Sequence, residues 1–209
     1  MVGVSVVYGL RALLTRWSAV TPVAALLDPR IAPNLRWADF PWVDCVAMVV
    51  GFGVLPLAHE AAVCRIPWRE IGLRVGGGRG IPAGVGVGVL LWAWGHAVAR
   101  MLGLPMAHTM TGANALVLGV AWSCTVGAEE VLFRAIIQRR LTRSVGLPLA
   151  LVAASLLFAF VGHLQANPWA NLLLRVPAGL ALGRLYNRTG SLLPSVIGHW
   201  VFNVLAALG

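Results

Sequence analysis

Charged residues are scarce in this chain of 209 residues. Only 11% of the residues are charged, whereas 59% are hydrophobic. A soluble domain carries about 25% charged and 45–50% apolar residues. The composition therefore excludes an ordinary soluble domain and predicts an integral membrane protein. Because each helical span uses roughly 20 apolar residues, little of the chain remains for a second domain, and we predict one domain over residues 1–209.

Lysine is absent, and acidic residues are few. The 16 basic residues are all Arg, against 7 acidic residues, which gives a net charge of +9. Such a balance can indicate nucleic-acid binding. Here, however, the Arg residues fall in short stretches between apolar runs, where they orient a membrane protein. We therefore predict no nucleic-acid partner and expect contact with membrane lipid. The pattern leaves the oligomeric state open.

Cysteine is also sparse, with Cys45, Cys64 and Cys124 widely separated. Their spacing fits neither a disulfide framework nor a zinc site, so we expect them to pack as small residues. The stretch HEAAV begins at His59-Glu60 but lacks the second His of the H-E-x-x-H metalloprotease motif. No G-x-S-x-G serine-nucleophile motif occurs. These absences exclude the commonest metal and serine hydrolase patterns.

Long apolar runs dominate the rest of the sequence. Six are near the length that crosses a bilayer, and each is predicted to be a helix because backbone groups in lipid must be satisfied within their own segment. The runs are residues 42–62, 80–102, 114–138, 147–165, 170–187 and 191–208. Arg11 and Arg16 interrupt residues 1–27, which are predicted to be an imperfect extra span or an interfacial helix. The predicted fold is an all-α polytopic transmembrane bundle.

Arginines mark alternate junctions between these runs. The Arg-bearing junctions contain Arg65, Arg69, Arg74 and Arg79, then Arg139, Arg140 and Arg143, then Arg184 and Arg188. The intervening stretches GLPMAHTMTG and LQANPW contain none. The positive-inside rule predicts that the Arg-bearing junctions are cytoplasmic and the C-terminus is outside. Gly80, Gly84 and Gly88 recur at four-residue spacing and predict a small-residue face for close helix packing.

Two acidic residues stand side by side in the apolar stretch GAEEVLFRAIIQRR, residues 127–140. A charge at the bilayer centre costs about 2.5–3.5 kcal/mol and usually faces a bundle interior or a wet cavity. Glu130 and Arg134 are spaced for an ion pair within one helix. Glu129 is rotated by about 100° and has no such partner, which suits a general base. A purely structural polar network is the alternative.

Four other polar residues interrupt the later runs. His199 and Asn203 share one helix face; they could stabilise an oxyanion or simply bond helices together. His163 ends the run LLFAFVGH, where a packing role is the alternative. Together with the two carboxylates, these residues form a hydrolytic set. Arg175, in NLLLRVPAG, could contact a substrate carboxylate or a lipid phosphate, or pair within the bundle.

Two motifs in this set resemble those of a known family. EEVLFR has the form E-E-x-x-x-R, and SLLPSVIGHWVFN contains H-x-x-x-N. In this order they are similar to the CPBP glutamic-type intramembrane proteases, which include enzymes that trim prenylated CAAX proteins. The motif-bearing core is about residues 113–209. The family's middle motif is F-x-x-x-H, but Ala159 stands at that spacing before His163, between Phe158 and Phe160. His163 is therefore the best match, in a shifted register.

The resemblance implies metal-free hydrolysis of a peptide bond, with no cofactor. The implied roles are water activation by Glu129 with His163, support by the pair Glu130 and Arg134, and oxyanion binding by His199 and Asn203. The implied substrate is a peptide tail or membrane segment of another protein, such as a C-terminal sorting tail or a leader. Prenylated C-termini are rivals. The Arg-only, Gly- and Ala-rich composition favours a bacterial inner-membrane location.

Two alternatives stay open. Glu129, His163 and His199 could instead supply three ligands to zinc, with a water in the fourth position. The chain could also be a non-catalytic membrane partner, chaperone or transporter of the same fold. Loss of cleavage on chelation would favour the zinc site. Cellular function that persists after replacement of Glu129 would favour the non-catalytic protein.

Overall fold

The fold is all-helical, as predicted. The computed structural model describes residues 42–73, 80–103, 115–163 and 168–208, and no strand occurs among them. Residues 1–27, and with them the choice between an extra span and an interfacial helix, lie outside this part of the chain. The described helices are α1 (42–62), α2 (Ile81–Leu102), α3 (115–145), α4 (Leu147–Phe160), α5 (168–189) and α6 (Leu193–Leu208).

The helices follow the predicted apolar runs closely, except that α3 is longer than predicted and α4 ends at Phe160 rather than at 165. Helix α3 continues to Val145 rather than ending at 138, so the arginines at 139, 140 and 143 lie on a helix and not in a loop. Gly146 alone separates α3 from α4. The arginines of the α5 junction, Arg184 and Arg188, are likewise helical. The arginines in the sequence therefore mark which end of each helix is near, but they belong to its last turns rather than to the loop.

Within the described part of the chain, two helices are long and apolar enough to cross a bilayer, in the segments Cys45–Ala62 and Ile81–Leu102. Leu147–Phe160 and Leu193–Leu208 are shorter apolar helices. The number of full spans therefore stays a prediction. Helix α2 ends where Gly103 adopts a left-handed conformation, with φ of 62°, and its N–H bonds back to the carbonyls of Ala99 and Arg100.

Three helices contain a π-helical section. The sections are Val49–Val54 in α1, Val131–Gln138 in α3 and Asn171–Arg175 in α5. The second begins directly after Glu130, and the third ends on Arg175. Wider helical turns of this kind occur frequently at functional sites because they redirect side chains. Both sections therefore border residues that the sequence singles out.

Glycines of α2 allow α6 to approach closely. A Cβ added at Gly84 would lie 2.5 Å from the carbonyl oxygen of Pro194, and one at Gly88 would lie 2.6 Å from that of Gly198. Only hydrogen fits at these positions, so the predicted small-residue face is confirmed. Helix α6 also packs against α3 and α5, while α5 packs against α4. The close α2–α6 contact fixes the height and rotation of α6 in the bundle.

Ion pairs join the Arg-bearing end of α3 to the end of α1 and the turn that follows it. The Glu60 carboxylate is almost fully buried and accepts hydrogen bonds from Arg139 and, at 2.6 Å, from Nε of Arg140. In the turn after α1, Glu70 pairs with Arg143 at 2.5 Å. The arginines at this end of the bundle therefore hold helices together as well as carrying charge.

Alanine scanning of the α2 glycines tests the packing account. Gly84→Ala should destabilise the protein by about 1–3 kcal/mol, since the new methyl group overlaps a backbone oxygen that cannot move alone. Gly86→Ala is the matched control, because a Cβ there meets no atom within 4 Å. That change should be neutral or stabilising, since Ala favours a helix over Gly. Unfolding of the detergent-solubilised protein measures both; equal effects of the two changes would contradict the account.

Candidate active site

A buried carboxylate connects α3 to α6. Glu130 is fully buried and accepts a hydrogen bond from Nε of Arg134 on its Oε2 at 3.0 Å. Its other oxygen, Oε1, lies 3.0 Å from Nδ1 of His199. The ion pair within α3 matches the sequence prediction, whereas the link to α6 joins residues 69 positions apart. Glu130 therefore uses both oxygens inside the protein and has none left for a reactant.

The guanidinium of Arg134 is compensated partly by an aromatic ring. Its two terminal nitrogens are buried without a hydrogen-bond partner among the described residues. Its central carbon lies 4.9 Å from the centre of the Phe158 ring, where a cation is attracted to the ring face. The same ring packs edge-on against His163 and His199, with centroid distances of 5.1 and 5.6 Å. Phe158 therefore forms an apolar wall shared by the charged residues.

Glu129 has a different environment from its neighbour. Its side chain is 14% exposed and Glu130's is 0% exposed. Oε2 of Glu129 lies 3.8 Å from Nε2 of His199, which is longer than a direct hydrogen bond. The imidazole of His199 thus stands between the two carboxylates, bonded to one and separated from the other by a short gap. Glu129 is the carboxylate left available at this site.

His163 lies in the turn after α4 rather than in a helix. Helix α4 ends at Phe160, and Nδ1 of His163 lies 3.0 Å from the carbonyl oxygen of Phe158. Since a carbonyl only accepts, Nδ1 carries the proton and Nε2 is an acceptor in the neutral ring. The turn also brings the ring of Phe158 onto His163 although five residues separate them. Helix termination at this point thus accounts for the shifted register of the F-x-x-x-H motif.

The bond to Glu130 changes the chemistry expected of His199. Because Glu130 is paired with Arg134 it is ionised and can only accept, so Nδ1 of His199 carries a proton. In a neutral ring Nε2 would then be an acceptor. The predicted oxyanion-binding role needs a donor at Nε2, and so it needs the doubly protonated imidazolium. A neutral His199 therefore cannot donate from Nε2 in this geometry.

Asn203 follows His199 by one turn on α6 and is half-buried. Its side chain makes no hydrogen bond to another described residue, which leaves both amide N–H groups for a ligand. The structure thus brings Glu129, Glu130, Arg134 and His199 together. His163 joins them through the ring of Phe158, which packs against both histidines. Asn203 lies on the same helix face as His199 without touching the carboxylates.

Two residues that the sequence analysis passed over also belong to this region. Asn171 is buried, and its amide donates to the carbonyl of His163 at 3.2 Å. Its oxygen accepts a hydrogen bond from Arg175 at 3.0 Å. An Asn four residues before an Arg within an apolar run could have indicated this pair. The second residue is Phe158. The sequence indicated it only as a neighbour of the imperfect F-x-x-x-H motif.

One cluster of metal-ligand types occurs in the described part of the chain. The ligand atoms of His59, Glu60 and Cys64 lie within 4.8 Å of one another. Arg139 and Arg140 already bind both oxygens of Glu60 there, and two guanidinium groups oppose a cation. The zinc set considered from the sequence, Glu129 with the two histidines, does not form such a cluster among the described residues.

Comparison with known proteins supports the family resemblance. Residues 111–205 match the family model described as "Type II CAAX prenyl endopeptidase Rce1-like". A search of the curated proteins found no match, and a search of the solved structures found none either. The matched segment contains both carboxylates of α3, His163 and the H-x-x-x-N sequence of α6. Residues 111–205, just under half of the chain, are therefore similar to the Rce1-like family, a CPBP family of integral membrane proteases.

Proposed function

We propose that the chain is a glutamate-dependent intramembrane endopeptidase that hydrolyses a peptide bond in a membrane-associated substrate. The observation that carries the proposal is the unequal use of two adjacent carboxylates. Glu130 is sealed and bonded on both oxygens, whereas Oε2 of Glu129 faces Nε2 of His199 across 3.8 Å. A structural polar network would not need to leave one carboxylate unsatisfied in an apolar bundle.

The gap between Glu129 and His199 suits a small reactant. It is too long for a strong direct bond, yet two groups at this separation can both reach one oxygen atom at hydrogen-bond distance. A water there would lie against the carboxylate that takes its proton. The resemblance assigns His163 to the same step, and Nε2 of its neutral ring is an acceptor. Glu129 is the proposed general base, assisted by His163.

The bond changes are those of direct hydrolysis. Glu129 takes a proton from water while the water oxygen bonds to the carbonyl carbon of the substrate. The carbonyl oxygen becomes an oxyanion, which accepts from Nε2 of the His199 imidazolium and from the amide of Asn203. Glu129 then returns its proton to the leaving nitrogen as the C–N bond breaks. With Glu129, Glu130, Arg134 and this imidazolium all charged, the charges of these four groups sum to zero before attack.

The substrate class follows from the bundle and from the matched family. A site in a bundle of apolar helices is reached by peptides that are themselves apolar or lipid-anchored. The family match favours C-terminal tails of the CAAX type; sorting tails and leader peptides remain rivals of similar chemistry. Membrane lipid is the expected surrounding, and no nucleic acid is proposed as a partner.

We also propose six spans with the arginine-bearing end in the cytoplasm of a bacterial inner membrane. Arg139 and Arg140 meet the end of α1 through Glu60, and Arg143 meets Glu70. Leu192, just before α6, donates to the carbonyl of Gly72 at 3.0 Å, in the turn that follows α1. The α1, α3 and α5 junctions therefore share one end, as the positive-inside rule requires. The C-terminus would then lie outside.

Substitution of the two carboxylates separates catalysis from folding. Glu129→Gln should abolish hydrolysis and leave the unfolding temperature nearly unchanged, since Glu129 has no ion pair in its own helix. Glu130→Gln should destabilise the protein by about 3–5 kcal/mol, because the buried Arg134 loses its counter-charge. The assay uses the vesicle-reconstituted protein with a farnesylated CAAX peptide and with unprenylated apolar peptides, and products are identified by mass spectrometry. Full hydrolysis by Glu129→Gln would refute the proposed role of Glu129, and no hydrolysis of any peptide by the wild-type protein would favour a non-catalytic partner.

The proposed oxyanion site predicts a kinetic signature for Asn203. Asn203→Ala should lower kcat by about 10²–10³-fold with little change in KM, as expected for a donor that acts in the transition state. Asn187→Ala, at an exposed position on α5, is the matched control and should be silent. A change confined to KM would instead assign Asn203 to substrate binding.

Chelation distinguishes the glutamate mechanism from zinc catalysis. We expect hydrolysis by the reconstituted protein to be unchanged after treatment with EDTA or 1,10-phenanthroline, because Glu129 itself would activate the water. Loss of activity that zinc restores would show instead that Glu129 and a histidine hold a metal.

A further inference from the structure

The two arginines of the candidate site differ in how their charges are compensated. Arg134 pairs with Glu130 at 3.0 Å. Arg175 has no carboxylate of the described residues at ion-pair distance, although the charge of Glu129 acts on it from farther away. A guanidinium inside an apolar bundle is costly without a close anion. Arg175 therefore holds a positive charge that no carboxylate of the described residues neutralises at ion-pair distance.

Most of the hydrogen-bonding capacity of Arg175 is also unused. A guanidinium has five N–H donors, and one nitrogen of Arg175, Nη1, donates to Oδ1 of Asn171 at 3.0 Å. The remaining nitrogens make no bond to the described residues, and unlike those of Arg134 they are not sealed from their surroundings. Arg175 is half-buried. The free edge of its guanidinium can thus be reached by a ligand.

The position of this guanidinium is fixed by the turn that carries His163. Asn171 is 3% exposed, and its amide N–H donates to the main-chain oxygen of His163 at 3.2 Å while its oxygen accepts from Arg175. Both ends of the amide are therefore used, which sets its orientation. The same buried side chain holds the turn of His163 and the head of Arg175. Such double anchoring is what a rigid binding group needs.

We infer that Arg175, oriented by Asn171, binds a carboxylate of the peptide substrate. The inference rests on the proposed function, since it assigns the bound peptide to that site. A planar guanidinium with a free edge matches a carboxylate with two parallel hydrogen bonds. The carboxylate can be the C-terminal group of the peptide or an acidic side chain. A lipid phosphate fits less well, because Asn171 ties the head of Arg175 to the turn that carries His163, a residue of the candidate site.

Binding of three short peptides tests the inference and identifies the carboxylate. The probes are N-acetyl-Leu-Leu-Ala-Leu with a free carboxylate, the same peptide as its C-terminal amide, and N-acetyl-Leu-Glu-Ala-Leu amide. Affinities are measured for the full chain in lipid nanodiscs, as wild type, Arg175→Gln and Arg175→Lys. Arg184→Gln is the matched control, because Arg184 is an exposed arginine of the same helix.

Wild type and Arg184→Gln should bind a carboxylate probe about tenfold or more tightly than the uncharged amide, as expected for charge-assisted hydrogen bonds. Preference for the first probe identifies a C-terminal carboxylate, and preference for the third an acidic side chain. Arg175→Gln should abolish the preference. Arg175→Lys should retain part of it, because lysine keeps the charge but lacks the two parallel N–H donors of the guanidinium. Glu129→Gln should strengthen carboxylate binding, since a nearby negative charge is removed.

Several outcomes would overturn the inference. These are equal binding of all probes by wild type, no binding of any probe, or a carboxylate preference that survives Arg175→Gln. Loss of co-purified phospholipid in Arg175→Gln with an intact preference would assign Arg175 to lipid instead. Binding does not require hydrolysis. An Arg175-dependent preference without cleavage would therefore contradict only the proposed reaction, whereas Glu129-dependent cleavage without the preference would contradict only this inference.

Discussion

The site depends on a single buried carboxylate that is shared between two helices. Glu130 accepts from Arg134 of its own helix and from His199 of α6, and it is fully buried. Removing Arg134 would leave an uncompensated charge in the bundle, at a cost of about 3–5 kcal/mol. Removing His199 would leave Oε1 of Glu130 buried without its hydrogen bond. The same arrangement fixes the proton on Nδ1 of His199 and directs Nε2 toward Glu129. Folding stability and the protonation of the site thus have a common origin.

Helix packing brings His199 of α6 within hydrogen-bond distance of Glu130. Helix α6 lies against α2 so closely that a methyl group at Gly84 or Gly88 would overlap its backbone, at Pro194 and Gly198 respectively. Gly198 directly precedes His199, so the close contact with α2 also positions the part of α6 that carries the imidazole. On the α3 side, the arginines beyond the site bind Glu60 and fix the far end of that helix. The chemistry therefore depends on glycines and ion pairs that never meet a substrate.

Local patterns in the sequence predict much of this structure, whereas the long-range contacts need the fold. Apolar length gives the helices, and four-residue spacing gives the pair of Glu130 with Arg134. The link from His199 to Glu130 leaves no local signal, because it joins two helices 69 positions apart. The continuation of α3 past residue 138 was missed because its arginines resemble a solvated junction until Glu60 and Glu70 are seen beside them. The π-helical sections likewise had no recognised sequence pattern.

The proton on Nδ1 of His199 is central to the proposed site. Nitrogen-15 NMR of selectively labelled His199 in the reconstituted wild-type protein reports which ring nitrogens carry hydrogen. A proton on Nδ1, lost or redistributed in a folded Glu130→Gln sample, is the result expected if Glu130 sets the state of the ring. A bare Nδ1 in the wild-type protein would contradict the account, because His199 could not then bridge the two carboxylates as described.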